Sequence, residues 1–152
     1  MGFVTSAAWL TAEYGGELQR FLVTKLRVRA LLFSEVEPFF PYQKINTVCV
    51  IAEKPKSLDA PIDPDETIRF VALTKTLKDL LPDADAANYW GEIDLLVDRM
   101  CKQETGVYHG YHIATRKLAD ERYQLLNKGR SSRNWARPFR ESAIYDAIFG
   151  GA

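Results

Sequence analysis

The stretch KLRVRALLF, residues 25–33, alternates apolar and basic residues before both of its faces turn apolar. Alternate residues from Leu26 to Leu32 share one apolar face, which is typical of a strand with a buried side. A second stretch, INTVCVIA at residues 45–52, is an almost continuous apolar run rich in β-branched residues. Such a run is typical of a strand covered on both faces. The two stretches therefore predict two strands of one sheet.

An amphipathic helix is predicted over residues 15–25, where Leu18, Phe21 and Leu22 recur at intervals of three and four. An acidic residue near its start and a basic residue at its end complement the helix dipole. A short strand at residues 3–4 precedes the helix and runs into a small polar tip. The order strand, helix, strand, loop, strand predicts an α/β fold and is typical of the last part of a doubly wound, Rossmann-like sheet.

The second part of the chain begins with a segment rich in proline and charge, residues 55–66, which predicts a surface linker or turn. Beyond it the pattern predicts a strand over 67–73, helices over 75–81 and 89–102, and a mixed strand and helix segment over 108–126. We therefore expect four regions: a partial sheet domain at 1–54, the linker at 55–66, a mixed α/β extension at 67–127 and a basic, aromatic junction at 128–152.

The length and the composition indicate one globular domain without a strong overall charge. The chain has 152 residues, 47% of them hydrophobic, with 20 Lys and Arg against 20 Asp and Glu. A balanced chain has no overall attraction to nucleic acids or membranes, so any DNA contact must be local. The sequence starts without a basic, apolar leader and has no run of about 18 apolar residues. We expect a cytoplasmic protein that does not contact a membrane.

The residue patterns of several familiar sites are missing. The pairs Gly15–Gly16 and Gly150–Gly151 do not lie between a strand and a helix at the spacing of a phosphate loop. His109 and His112 are close together, yet no carboxylate or thiol joins them at metal-ligand spacing. No serine lies in the context of an activated nucleophile. We therefore predict no metal site and no catalytic residue in this chain.

Positive charge is concentrated near the C-terminal end, around Trp135 and Phe139. The basic residues there are Lys128, Arg130, Arg133, Arg137 and Arg140. Basic residues interleaved with aromatic ones can follow a phosphate backbone, which makes this stretch a candidate DNA contact. A solvated linker that leads to a helix at 142–149 is an equally good interpretation, and the residues alone leave both open.

Two segments resemble one family of DNA-modifying enzymes. The segment GFVTSAAWL at 2–10, followed by LQRFL at 18–22, looks like a strand with a small polar tip, a Trp-Leu pair and a helix packed behind. The segment VEPFFPYQKINTVCVI at 36–51 resembles the loop and strand that close the target-base pocket in γ-class N6-adenine DNA methyltransferases of restriction-modification and phage-defence systems. More weakly, NWARPFR at 134–140 is similar to the junction that leads to their target-recognition domain.

The resemblance implies a pocket for a flipped base. An enzyme that methylates a base amino group must take the base out of the stack, and an aromatic ring beside the pocket repays part of that cost. By resemblance Phe40 holds this position, and Phe39 is the alternative if the loop shifts by one residue. Both could instead be core residues, as aromatic pairs often are. The remaining implied residues are Pro41 and Lys44 in the pocket, and Thr5 and Ser6 at the strand tip on its edge.

The chain departs from this family in the parts that carry the chemistry. The acidic, glycine-rich segment that binds S-adenosylmethionine is absent, as is the Asn/Asp-Pro-Pro-Tyr/Phe motif that holds the adenine amino group. Methyl transfer requires cofactor and amine to be held in line at near-contact distance. We therefore expect no cofactor binding and no activity from this chain alone. In the complete enzyme, a missing N-terminal catalytic half, in cis or in trans, would bind S-adenosylmethionine and both parts would act on double-stranded DNA.

Two other functions remain open at this point. The first is a non-catalytic DNA-binding or scaffold protein that has kept this half-domain. The second is an unrelated small α/β domain. An upstream reading frame that encodes the cofactor motif would favour the methyltransferase.

Overall fold

The computed structural model describes residues 1–40, 42, 45–127 and 134–140. Within them, six strands form one sheet: β1 (Gly2–Ser6), β2 (Arg27–Ser34), β3 (Thr47–Glu53), β4 (Thr67–Leu73), β5 (Gly106–Tyr108) and β6 (Tyr111–Lys117). The helices are α1 (Gly15–Lys25), α2 (Leu77–Leu80), α3 (Tyr89–Lys102) and α4 (Leu118–Asn127), and a 3-10 turn spans Ala7–Leu10. No helix in these residues is long and apolar enough to cross a membrane.

The sheet is mixed, with the spatial order β1-β3-β2-β4-β6-β5. Only β2 and β4 pair in parallel, whereas the other four pairs are antiparallel. The α/β class is as predicted, but the mostly parallel pairing of a doubly wound sheet is not seen. The reason is that β3 follows β2 through a loop, and β6 follows β5 through a tight turn, rather than through crossover helices. The predicted extension at 67–127 supplies three strands to this same sheet.

The prediction that the first three strands share one sheet with α1 packed on it is confirmed. Leu22 and Val23 of α1 are buried in the main core against strand residues. Phe21, predicted on the apolar side of this helix, is instead half-exposed. The start of α1 lies so close to the 3-10 turn that a Cβ at Gly15 would collide with the carbonyl of Trp9. Glycine is therefore required there by close approach of the backbone.

The main core lies on the face of the sheet that carries α1, α4 and residues 134–140. Its largest strand residue is Phe70, which is fully buried. A second, smaller cluster on the opposite face joins β4 and β6 to Leu96 and Met100 of α3. This second layer does not reach the far end of β3, where Ile51 is half-exposed. The prediction that the whole 45–52 run is covered on both faces is therefore wrong at this end.

Candidate functional site

A cleft of about 640 Å³ opens at one end of the sheet. Apolar residues of the 3-10 turn, β2 and the 134–140 segment form much of its wall. Its polar lining residues are Ser6, Thr11, Ser34, Glu35, Asn46 and Arg140. The cleft thus combines an apolar wall with a few hydroxyl, amide and charged groups, a composition typical of ligand sites.

The topology explains why the cleft forms there. Because β1 and β2 are both antiparallel to β3, they run in the same direction and end at the same edge of the sheet. Ser6 is the last residue of β1 and Ser34 the last residue of β2. In α/β proteins, ligands bind in crevices outside the carboxyl ends of such strands. The cleft therefore occupies the expected position for a site in this architecture.

Side chains at these strand ends hold the local backbone in place. The Ser6 hydroxyl accepts a hydrogen bond from the Ala8 amide at 3.3 Å, which starts the 3-10 turn. The Ser34 hydroxyl accepts from the Glu37 amide at 3.1 Å. Serine hydroxyls favour such turns because they replace a backbone partner. The small polar residues at the strand tips therefore shape the cleft edge.

Residues 134–140 form one wall because they are anchored in the core. Trp135 is fully buried, its amide donates to the Leu10 carbonyl at 3.0 Å, and its ring Nε1 donates to Glu121 Oε2 at 2.8 Å. Phe139 is also buried and contacts the ring of Phe70 edge-on. Among the described residues of this stretch, the exposed Arg137 and Arg140 therefore remain the candidate DNA contacts, whereas Trp135 and Phe139 are core residues. They are apolar and large, and burial against the sheet stabilises them more than exposure would.

A buried histidine lies behind the cleft. His112 of β6 is only 1% exposed, and its Nε2 is 3.6 Å from the Oε1 of Glu35 on the cleft wall. This Nε2 has no hydrogen-bond partner among the described residues. Burial lowers the pKa of His112, because it penalises the charged ring, while Glu35 and the backbone of Phe139 partly offset that effect. The histidine is therefore held toward its neutral form.

The structure brings only part of the predicted pocket together. Ser6 lines the cleft, whereas Thr5 is half-buried and lies outside its lining. Phe39 packs against the second core cluster, and Phe40 is 47% exposed; neither ring lines the cleft. The two further pocket candidates, Pro41 and Lys44, lie outside the described residues.

The predicted DNA contacts are also only partly described. Arg137 and Arg140 are exposed, and Arg140 lines the cleft. The other three basic candidates, Lys128, Arg130 and Arg133, lie outside the described residues, as does the predicted helix at 142–149. Among the residues that are described, no group of three His, Cys, Asp or Glu side chains could hold a metal ion.

Several cleft residues were not identified from the sequence. Glu35 and Ser34 could have been found, because they directly follow a predicted strand just as the Ser6 tip does. Asn46 directly precedes β3 and carried a weaker signal of the same kind. Thr11 and His112 come to the cleft region from a turn and from a distant strand, and no local pattern marks them.

Comparison with known proteins gives a likeness of fold. No protein-family model matches the sequence, and no curated protein matches it either. Among solved structures, the chain shares its fold with part of the type IIG restriction endonuclease BpuSI, with a TM-score of 0.61 and 10% sequence identity over 99% of this chain. The match spans about 15% of the BpuSI chain. At such low identity the likeness concerns the fold.

Proposed function

We propose that this chain is part of a site-specific N6-adenine DNA methyltransferase of a restriction-modification or phage-defence system. The observation that carries the proposal is the likeness of fold, over nearly the whole chain, to part of a restriction enzyme. The resemblance of the segments at 2–10 and 36–51 to γ-class methyltransferases independently favours the same family. The likeness of fold and the resemblance of these segments both agree with a role in the modification of DNA.

The cleft is the proposed site of contact with the target nucleotide. Its volume of about 640 Å³ lies within the range of ordinary ligand pockets. The Asn46 amide and the Glu35 carboxylate offer the donor and acceptor groups that read the edge of a base. Arg140 adds a cation that can hold a phosphate, since guanidinium groups bind phosphate oxygens in a bidentate manner.

Phe40 is the stronger candidate for the ring that stacks on the flipped base. A stacking ring needs a free face, and Phe40 is half-exposed whereas Phe39 packs against the second core cluster. Phe40 belongs to the loop between β2 and β3, and residues at both ends of this loop, Glu35 and Asn46, line the cleft. We therefore propose that Phe40, which lies outside the cleft lining, is the ring that stacks on the extruded base, and we treat Phe39 as a core residue that supports the loop.

S-adenosylmethionine is the proposed methyl donor, bound by a second polypeptide segment. The residues of this chain do not fit that cofactor, because they include neither the acidic, glycine-rich segment nor the motif that holds the adenine amino group. This chain would instead supply sheet strands, one wall of the base pocket and part of the DNA approach. The partner half would bind the cofactor and hold it in line with the adenine amino group.

The pocket assignment is tested in the enzyme assembled with that partner half. Stacking of a base on an aromatic ring contributes about 1–3 kcal/mol, so Phe40→Ala should slow methylation by roughly ten- to a hundredfold. Phe40→Trp should keep most of the activity. The matched variant Phe39→Ala should mainly lower the melting temperature, because it opens a cavity in a packed cluster.

Activity and melting temperature are measured on the same variants. A stable Phe40→Ala protein with full activity would remove Phe40 from the pocket. A Phe40→Ala protein that is destabilised by about 3–5 kcal/mol would instead identify it as a core residue.

A further inference from the structure

A carboxylate on the wall of the cleft faces a buried histidine. The Nε2 of His112 lies 3.6 Å from the Oε1 of Glu35, and this nitrogen has no hydrogen-bond partner among the described residues. The side chain of His112 is only 1% exposed, whereas that of Glu35 is 33% exposed. A ligand in the cleft can therefore reach the carboxylate, but it cannot reach the nitrogen that lies behind it.

Three segments of the fold bring these two groups together. His112 of β6 lies directly opposite Ala72 of β4, a residue of the main core, so its ring lies on that face of the sheet. Glu35 directly follows β2, and its amide donates to the carbonyl of Leu73, the last residue of β4, at 3.0 Å. The backbone of Phe139 forms a hydrogen bond with the histidine ring. Sheet pairing and this bond therefore fix the ring beside the carboxylate.

The proton on the ring decides what His112 can do for Glu35. Burial lowers the pKa of His112 and holds it toward its neutral form, which carries a single N–H. The cross-strand neighbours Ala72 and Val107 have no charge, so the carboxylate is the charged group that acts on the ring. A bare Nε2 would turn its lone pair toward that carboxylate and stay unpaired in the interior, which is costly. A proton on Nε2 removes both penalties.

We infer that His112 is a positioning residue for Glu35, and that the oriented carboxylate accepts a hydrogen bond from an amino group of the bound base. The Nε2–H holds one carboxylate oxygen, and a shift of under about 1 Å brings the two atoms to hydrogen-bond length. The carboxylate has no other partner among the described residues, so its second oxygen is left for the ligand. A carboxylate that is already held loses less freedom when it binds. This inference rests on the proposed function, which places a nucleotide in the cleft.

The chemistry of the cleft favours an amino group as the partner of Glu35. An ionised carboxylate only accepts hydrogen bonds, so it binds donors and repels the carbonyl and ring-nitrogen acceptors of a base. The exocyclic amino groups of bases are such donors. Arg140, which lines the same cleft, offers the opposite charge to a phosphate. One nucleotide can therefore use both groups, with its base at Glu35 and its phosphate at Arg140.

The probes are deoxyadenosine monophosphate and its analogue that lacks only the amino group of the base. Each is titrated into this chain at low salt, and NMR shift changes give the two affinities. A hydrogen bond to a charged acceptor should make the amino-bearing nucleotide bind roughly five- to tenfold more tightly. Glu35→Met and His112→Leu should both abolish this preference, whereas His112→Gln keeps an N–H donor and should retain most of it. The matched control Arg140→Gln should weaken both nucleotides alike and keep the preference.

A second measurement follows the histidine itself. The chain has two histidines, and His109 is exposed, so NMR of the imidazole nitrogens can follow both rings in one sample. We expect the proton of neutral His112 on Nε2. The pKa of His112 should fall further in Glu35→Met, because the charge that favours the protonated ring is lost. The pKa of His109 should stay the same. This measurement decides the positioning role even where His112→Leu does not fold.

Several results would overturn the inference. They are equal affinity for the two nucleotides, binding of neither, and a preference that survives Glu35→Met. A folded His112→Leu protein that keeps the preference, or a neutral His112 without a proton on Nε2, would overturn the positioning role. Methylation by the assembled enzyme tests the proposed function separately, so that function can stand when the inference fails. A nucleotide preference in this chain without methylation by the assembled enzyme would overturn the proposed function alone.

Discussion

Removal of the Trp135 side chain should strongly destabilise the protein. The ring is fully buried, and it contacts Trp9 and Phe70 edge-on at centroid distances of 5.9 and 6.0 Å. Its Nε1 also donates a hydrogen bond to the buried Glu121. Trp135→Ala would therefore leave a large cavity and remove one donor from a buried carboxylate. The same change would release the wall of the cleft that residues 134–140 form.

The expected loss follows from these contacts. A buried Trp→Ala change costs about 3–5 kcal/mol, which for a domain of this size lowers the melting temperature by on the order of 10 °C. Trp135→Phe keeps much of the ring but loses the hydrogen bond to Glu121, so we expect a smaller loss of about 1.5–3 kcal/mol. Urea unfolding followed by circular dichroism measures both values.

Trp90→Ala is the matched control, because Trp90 is 75% exposed. Its effect should stay within about 0.5 kcal/mol. If Trp135→Ala is no more destabilising than Trp90→Ala, the anchoring of the C-terminal segment is refuted. The interpretation of that segment as a solvated linker would then be favoured.

Three further predictions concern the cofactor, DNA and pH. The chain alone should bind S-adenosylmethionine no better than background, and stoichiometric micromolar binding in calorimetry would contradict this. The double variant Arg137→Gln, Arg140→Gln should weaken DNA binding at low salt and flatten its salt dependence without unfolding the protein, because each phosphate contact releases counterions. The control Lys102→Gln, at an exposed residue, should leave DNA binding unchanged. An unchanged affinity of the double variant would exclude both arginines as DNA contacts. Burial lowers the pKa of His112 in the folded protein, so the unfolded chain takes up the proton first, and the unfolding free energy should fall as the pH drops below about 6.5. His112→Gln should flatten that decline between pH 7 and 5, and an equal slope in both proteins would show that His112 does not cause it.

Much of the secondary structure could be predicted from local patterns. The bounds of α1, α3 and β4 agree with prediction, because helical spacing and strong apolar runs are local properties of the chain. The predicted helix at 75–81 shrinks to the single turn of α2, which ends at Leu80 because Leu81 precedes Pro82 and is extended. Strand order was not predictable in the same way, because pairing depends on how distant segments pack.

The candidate site was harder to predict than the fold. A strand tip such as Ser6 can be recognised, since small polar residues end an apolar strand. The roles of Trp135 and Phe139 could not, because a basic neighbourhood surrounds them while their burial is decided by the sheet they meet. Arg140 lines the cleft because the burial of Trp135 and Phe139 holds its segment against the sheet. Clefts built from distant segments are therefore visible only when the packing is known.

The most direct test of the proposed function is adenine methylation by the assembled enzyme. This chain and the polypeptide encoded directly upstream are expressed, separately and together, in a host that does not methylate adenine. N6-methyladenine in the host DNA is then measured by mass spectrometry. We predict the modified base only when both polypeptides are present. Methylation by this chain alone, or its absence when both are present and bound to each other, would contradict the account.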